Sequence, residues 1–90
     1  MRRVAVLRLR QPLKRMAGDR AEHELTAGTV GELLEALERE QPEVRGWILD
    51  ERGELRRHIN VYVNGEPSSP AAAVGDGDRV DVLPAISGGR

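Results

Sequence analysis

The chain has 90 residues, 14 of them basic and 15 acidic, a net charge of −1, and no cysteine. That length supports one domain around a modest core, and the near-balanced charge argues against a general polyanion binder. Without a thiol there is no disulfide, no cysteine nucleophile and no zinc knuckle. Two histidines, His23 and His58, cannot build a metal site by themselves. No apolar run approaches the roughly 20 residues that span a bilayer, so a cytoplasmic protein with no membrane partner is expected.

Val4 to Arg10 alternates, with Ala5, Leu7 and Leu9 on one face and Val6, Arg8 and Arg10 on the other. This period of two predicts a half-buried strand and outweighs a faint likeness of the basic opening to a transit peptide. Gln11 to Gly18, with Pro12 and Gly18, reads as the turn of a wide hairpin. "AEHELT" returns as a second strand, with Ala21, His23 and Leu25 on its inner side. An inward histidine is by default a hydrogen-bonded core residue.

"TVGELLEALERE" predicts the main helix. Thr29 and Glu32 have the capping-box spacing, and Val30, Leu33, Leu34 and Leu37 trace one buried stripe. Pro42 ends it. In "EVRGWILDERGELR", Val44, Trp47, Ile48 and Leu55 are the expected core plugs. "RHINVYV" predicts a third strand with Ile59, Val61 and Val63 inward and Asn60 and Tyr62 outward. His58 begins it and faces out. Asn64-Gly65 marks a tight turn. The Pro-, Ser- and Gly-rich stretch that follows allows only a short strand, and "DRVDVLP" closes the domain with Val80 and Val82 inward.

This order predicts an α+β fold of the β-grasp type: a mixed four- to five-stranded sheet packed on one main helix, the last strand central and beside the first. The β-grasp domain occupies residues 1–84 and a flexible tail residues 85–90. The uncovered sheet face meets solvent. Val6, Tyr62 and Leu83 should point there from neighbouring strands, either as scattered surface hydrophobes or as one docking patch leading into the tail.

Two function classes find little support. Ser68, Ser69 and Ser87 stand in no G-x-S-x-G elbow, so catalysis by this chain is not expected. Arg2, Arg3, Arg8, Arg10, Lys14 and Arg15 all precede the first acid, Asp19, and such a patch can hold phosphate. Single-strand binders also need stacking aromatics, and only Trp47 and Tyr62 are aromatic. Nucleic acid is therefore not the expected partner.

The strongest signal is the end of the chain, "LPAISGGR". Gly88 and Gly89 lack Cβ atoms, so their backbone fits a tunnel too narrow for any side chain. With the last strand ending near Leu83, the segment from Pro84 to Gly89 reaches roughly 20 Å. A carboxylate carried there is open to activation by a second protein.

Three stretches, "TAGTVGELLEALE" (26–38), "RHINVYVNGE" (57–66) and "GDGDRVDVLPAISGG" (75–89), together resemble the MoaD/ThiS family of ubiquitin-like sulfur carriers, most nearly the CysO type. The resemblance implies that an adenylyltransferase related to ubiquitin-activating enzymes uses ATP to adenylate Gly89. Sulfur then displaces AMP, and a sulfur-accepting synthase spends the resulting thiocarboxylate, with cysteine the favoured product. Gly88 is then the second slim residue, and Ile86 and Ser87 grip the tunnel mouth. No cofactor is held permanently. Arg90 departs from the family pattern, because it places an amide where a free carboxylate belongs. The departure implies a precursor trimmed by a protease, a zinc metallopeptidase of the JAMM type, unless Arg90 is incidental. A protein modifier joined through Gly89 to lysines, a molybdopterin synthase small subunit, and a non-covalent module using only its sheet face remain open beside the carrier. Lys14 is the sole lysine, which limits lysine-linked chains of this protein to one internal site plus the amino terminus.

Overall fold

The first strand keeps its alternation in the computed structural model, which describes residues 3–84. β1 (Val4–Leu9) buries Ala5, Leu7 and Leu9 and turns Val4, Val6 and Arg8 outward. It pairs antiparallel with β2 (Glu22–Thr26), Val6 opposite Glu24 and Arg8 opposite Glu22. The main helix α2 (Val30–Glu40) crosses next, followed by a single 3₁₀ turn (Pro42–Val44), β3 (Ile59–Val63), the three-residue β4 (Glu66–Ser68) and β5 (Arg79–Pro84). A short helix, α1 (Leu13–Met16), lies between β1 and β2.

The five strands stand in the order β2-β1-β5-β3-β4, with β5 at the centre, parallel to β1 and antiparallel to β3. This is the predicted β-grasp arrangement. A last strand can sit beside the first in parallel only because α2 carries the chain across one sheet face. That face is the core. Val30, Leu33, Leu34 and Leu37 of α2 are fully buried with Leu7, Val80 and Val82 of the sheet. Each such side chain contributes about 1.5–3 kcal/mol of transfer free energy on burial.

The start of α2 shows how the loop before β5 is used. A helix leaves its first amides without intrahelical acceptors. Here the amide of Glu32 donates to Thr29 Oγ1 at 3.1 Å, while those of Val30 and Gly31 donate to the carbonyls of Ala72 and Pro70, both at 2.9 Å. Glu32 reaches back one residue further than the capping-box pattern expects, accepting from the amide of Gly28 at 2.9 Å. The Pro- and Ser-rich stretch thus completes the helix terminus instead of adding a long strand.

Three expectations are corrected. Ala21, placed on the inner side with His23 and Leu25, is exposed and precedes β2. The wide hairpin between β1 and β2 contains α1, whose Leu13 is buried along with Ala17 just beyond it. Trp47 is not a core plug: it is 57% exposed, while Val44, Ile48 and Leu49 fill the interior and Leu55 is half-buried against it. The turn is set by Gly46 at φ +86°, a conformation open to glycine at little cost. It leaves only one of the two neighbours Trp47 and Ile48 facing inward. The branched aliphatic residue takes that place.

His23 is buried, as its phase predicts. Its Nε2 lies 3.1 Å from the Arg20 carbonyl and its Nδ1 3.3 Å from the Arg20 guanidinium, which suits the tautomer donating from Nε2. Both ring nitrogens are satisfied within the fold. The histidine is therefore accounted for structurally.

Candidate functional site: the exit of the central strand

β5 delivers the chain to its tail from the middle of the sheet. Leu83 stands opposite Asn60 and Pro84 opposite Ile59. Strand alternation sends the two to different sides, Leu83 to the open face and Pro84 to the side of Leu13 and Ile59. Ile86, Ser87, Gly88, Gly89 and Arg90, to which the sequence assigns tail recognition, activation and processing, lie outside the described residues.

On the open face, charge occupies the centre. Asp81 of β5 lies between Arg8 and Arg79, each Nε 3.5 Å from one of its oxygens, and Arg8 also reaches Glu22 at 3.9 Å. Beside this group a depression of about 300 Å³ is lined by Arg8, Arg10, Tyr62, Gly65, Arg79, Asp81 and Leu83. Tyr62 and Leu83 share it; Val6 does not line it. Val6 pairs across to Arg79, and Tyr62 pairs across to Asp81 from the far side of β5. The two are therefore two strands apart, roughly 10 Å, with charged side chains between them. The three residues share a face without forming one continuous apolar patch.

On the other side of the exit an apolar groove of about 280 Å³ is lined by Pro12, Leu13, Trp47, Arg56, His58, Ile59 and Pro84. His58 is exposed, as its phase predicts. Sequence reading missed this groove because it assigned Trp47 to the core.

The hairpin behind the exit is braced. Asn64 (φ +52°) and Gly65 (φ +89°) both take positive φ, the pattern of the primed turns that fit the twist of a β-hairpin. Asn64 Oδ1 accepts from the amide of Arg79 at 2.9 Å, and Asn64 Nδ2 donates to Asp78 Oδ1 at 3.0 Å. Asp78 Oδ2 accepts from the amide of Gly75 at 2.7 Å. These donors, the Gly75 amide first, hold the Asp78 carboxyl below its ordinary value. The start of β5 is thereby tied to the β3–β4 turn.

A third depression, about 400 Å³, lies beside Glu38 and Arg45 and shares Arg56 with the apolar groove. Partial burial pushes the Glu38 carboxyl up, against the opposing pull of Arg45. Among the described residues no group of three or more His, Cys, Asp or Glu side chains is placed to hold a metal. No helix among them is long and apolar enough to cross a membrane.

A central last strand that emerges beside the first, over one crossing helix, defines a ubiquitin-like β-grasp protein. The chain belongs to the ThiS family, whose model matches residues 7–89 and so runs through both glycines. This is a family of ubiquitin-like sulfur carriers and modifiers, small proteins that act with partner enzymes. The chain is 39% identical over 61 residues to small archaeal modifier protein 1 of Haloferax volcanii, covering 68% of this chain and 70% of that protein. It is 36% identical over 67 residues to the sulfur carrier protein CysO of Mycobacterium tuberculosis, covering 68% and 72%. The crystal structure of the Amycolatopsis orientalis BexX/CysO complex holds a chain that superposes with a TM-score of 0.85 at 30% identity, covering 94% of this chain and 99% of that one.

Proposed function

We propose that this protein carries sulfur as a thiocarboxylate on Gly89, made after removal of Arg90 and spent in small-molecule biosynthesis, with cysteine the favoured product. The observation that carries this reading is the family match through Gly89 on a chain whose central strand runs out toward that residue. In the first step a carboxylate oxygen of Gly89 attacks the α-phosphorus of ATP and pyrophosphate leaves. In the second a sulfide-level nucleophile attacks the acyl carbon and AMP leaves. An amide to Arg90 has no such oxygen, so cleavage of the Gly89–Arg90 bond, by a JAMM-type zinc metallopeptidase in this reading, comes first. The chain contributes no catalytic group. The partners are an adenylyltransferase related to ubiquitin-activating enzymes, which supplies ATP chemistry, and a sulfur-accepting synthase. A CysO relative solved as a complex with a second protein supports such pairing.

Conjugation to target lysines is the second reading, favoured by the likeness to an archaeal modifier protein. It shares the adenylate and differs in the nucleophile that attacks it. Isopeptide remnants of Gly89 on other proteins would support it.

The test uses the chain ended at Gly89 and the chain ended at Arg90, each with the organism's adenylating enzyme and ATP. The first should release pyrophosphate and the second should not. Equal release from both overturns the precursor step, and release from neither overturns the adenylation.

A further inference from the structure

Trp47 and Val4 are the only large hydrophobic side chains that stand exposed among the described residues, and Trp47 is the more exposed at 57%. The backbone that carries Trp47 is anchored. Its amide donates to the Val44 carbonyl at 3.0 Å, its neighbours Val44 and Ile48 are fully buried, and the Ile48 carbonyl accepts from the amide of Arg56 at 2.9 Å. The indole forms one wall of the groove whose other apolar walls are Pro12, Leu13, Ile59 and Pro84. Pro84 ends β5. Gly89 follows it by five residues, a reach of roughly 17 Å at most. Any enzyme that works on Gly89 therefore stands close enough to touch this groove.

We propose that the Trp47 groove is a docking site for the adenylating enzyme, taking an apolar side chain of that enzyme flanked by carboxylates. The proposal rests on the carrier reading above. Its chemistry follows from the lining. The groove floor offers no polar partner, so its occupant is apolar. Its rim carries the Arg56 guanidinium and the His58 imidazole and, among the described lining residues, no carboxylate. Arg56 also borders the depression of Glu35, Glu38, Asp50 and Glu51 and acts on Asp50 through space, but among the described residues it stands in none of the ion pairs. Charge complementarity therefore asks for acids beside the apolar anchor. The depression on the open face differs, since there Asp81 already answers Arg8 and Arg79. Tryptophan is among the residue types that most often dominate an interface.

The experiment follows pyrophosphate release from the chain ended at Gly89, with Trp47→Ser and Arg56→Glu variants and the organism's E1-like adenylating enzyme. Both variants should raise KM for the carrier, Trp47→Ser on the order of tenfold or more, and leave kcat unchanged. Because Trp47 is the only tryptophan, 5-fluorotryptophan labelling of the otherwise unaltered chain gives a single ¹⁹F reporter. Its resonance should shift when the enzyme is added, which keeps the test valid even if a variant folds poorly. Turnover with unchanged KM, or a resonance indifferent to the enzyme, overturns the proposal. So does a resonance that shifts without enzyme on dilution, meaning a second copy fills the groove, or on truncation after Pro84, meaning the protein's own tail fills it. An enzyme that never turns over the parent chain defeats the carrier reading, and docking with it; turnover at equal KM defeats docking alone.

Discussion

The two sides of β5 obey different rules. Val80 and Val82 face α2 and are fully buried, while Arg79, Asp81 and Leu83, one residue out of phase, face solvent across the uncovered sheet. On the inner side each side chain is fixed by the volume its neighbours leave. On the outer side it is constrained only by what its cross-strand partners tolerate. Recognition chemistry can be written on the second side without disturbing the first, which is how one strand both anchors the sheet and presents a tail.

Breaking the inner side should have the largest effect. Leu34→Ala removes a fully buried side chain from α2 and should cost about 2–5 kcal/mol, read as a lower urea midpoint. A loss well below 1 kcal/mol would mean that the helix face is not the packed layer. Thr29→Ala comes next, because it leaves the Glu32 amide without its acceptor. The expected cost is about 1 kcal/mol.

Acid sharpens the comparison through groups on neither side. Asp78 is held down first by the Gly75 amide and then by Asn64, and Asp50 by the amides of Glu54 and Arg52. A carboxyl whose folded pKa lies below its unfolded value stabilises the fold above the unfolded value. That contribution is lost as pH falls through the folded one. Stability should therefore decline below about pH 4, and Asp78→Asn should flatten the decline. Glu38, pushed up by burial, works in the opposite sense, since the fold takes up its proton more readily. An acid limb identical in Asp78→Asn would remove the Gly75 and Asn64 hydrogen bonds as its cause. The smallest effect belongs to the outer side. Arg8→Gln breaks both contacts of a side chain that is 42% exposed, and exposed pairs contribute about 0–1 kcal/mol. A loss matching that of Leu34→Ala would erase the distinction between the two sides.

What the sequence made legible follows the same division. β1, β2, β5 and α2 each bury a regular stripe, and period alone located them together with the buried phase of His23. α1 was not legible because four residues between Pro12 and the turn at Gly18 are too short to show a period. Trp47 was misplaced because tryptophan is apolar, and the turn at Gly46 carries no periodic signal to say which neighbour faces in. Alternation put Val6, Tyr62 and Leu83 on one face, yet it says nothing about the lateral spacing that sets Arg79 and Asp81 between Val6 and Tyr62. The two glycines were plain as letters, since their meaning lies in what they lack.

The most direct test is an intact mass spectrum of the protein taken from its own cells. The account predicts a chain that ends at Gly89, part of it carrying one oxygen-for-sulfur exchange. A population that keeps Arg90 throughout growth, with no sulfur gained on any form, would contradict it.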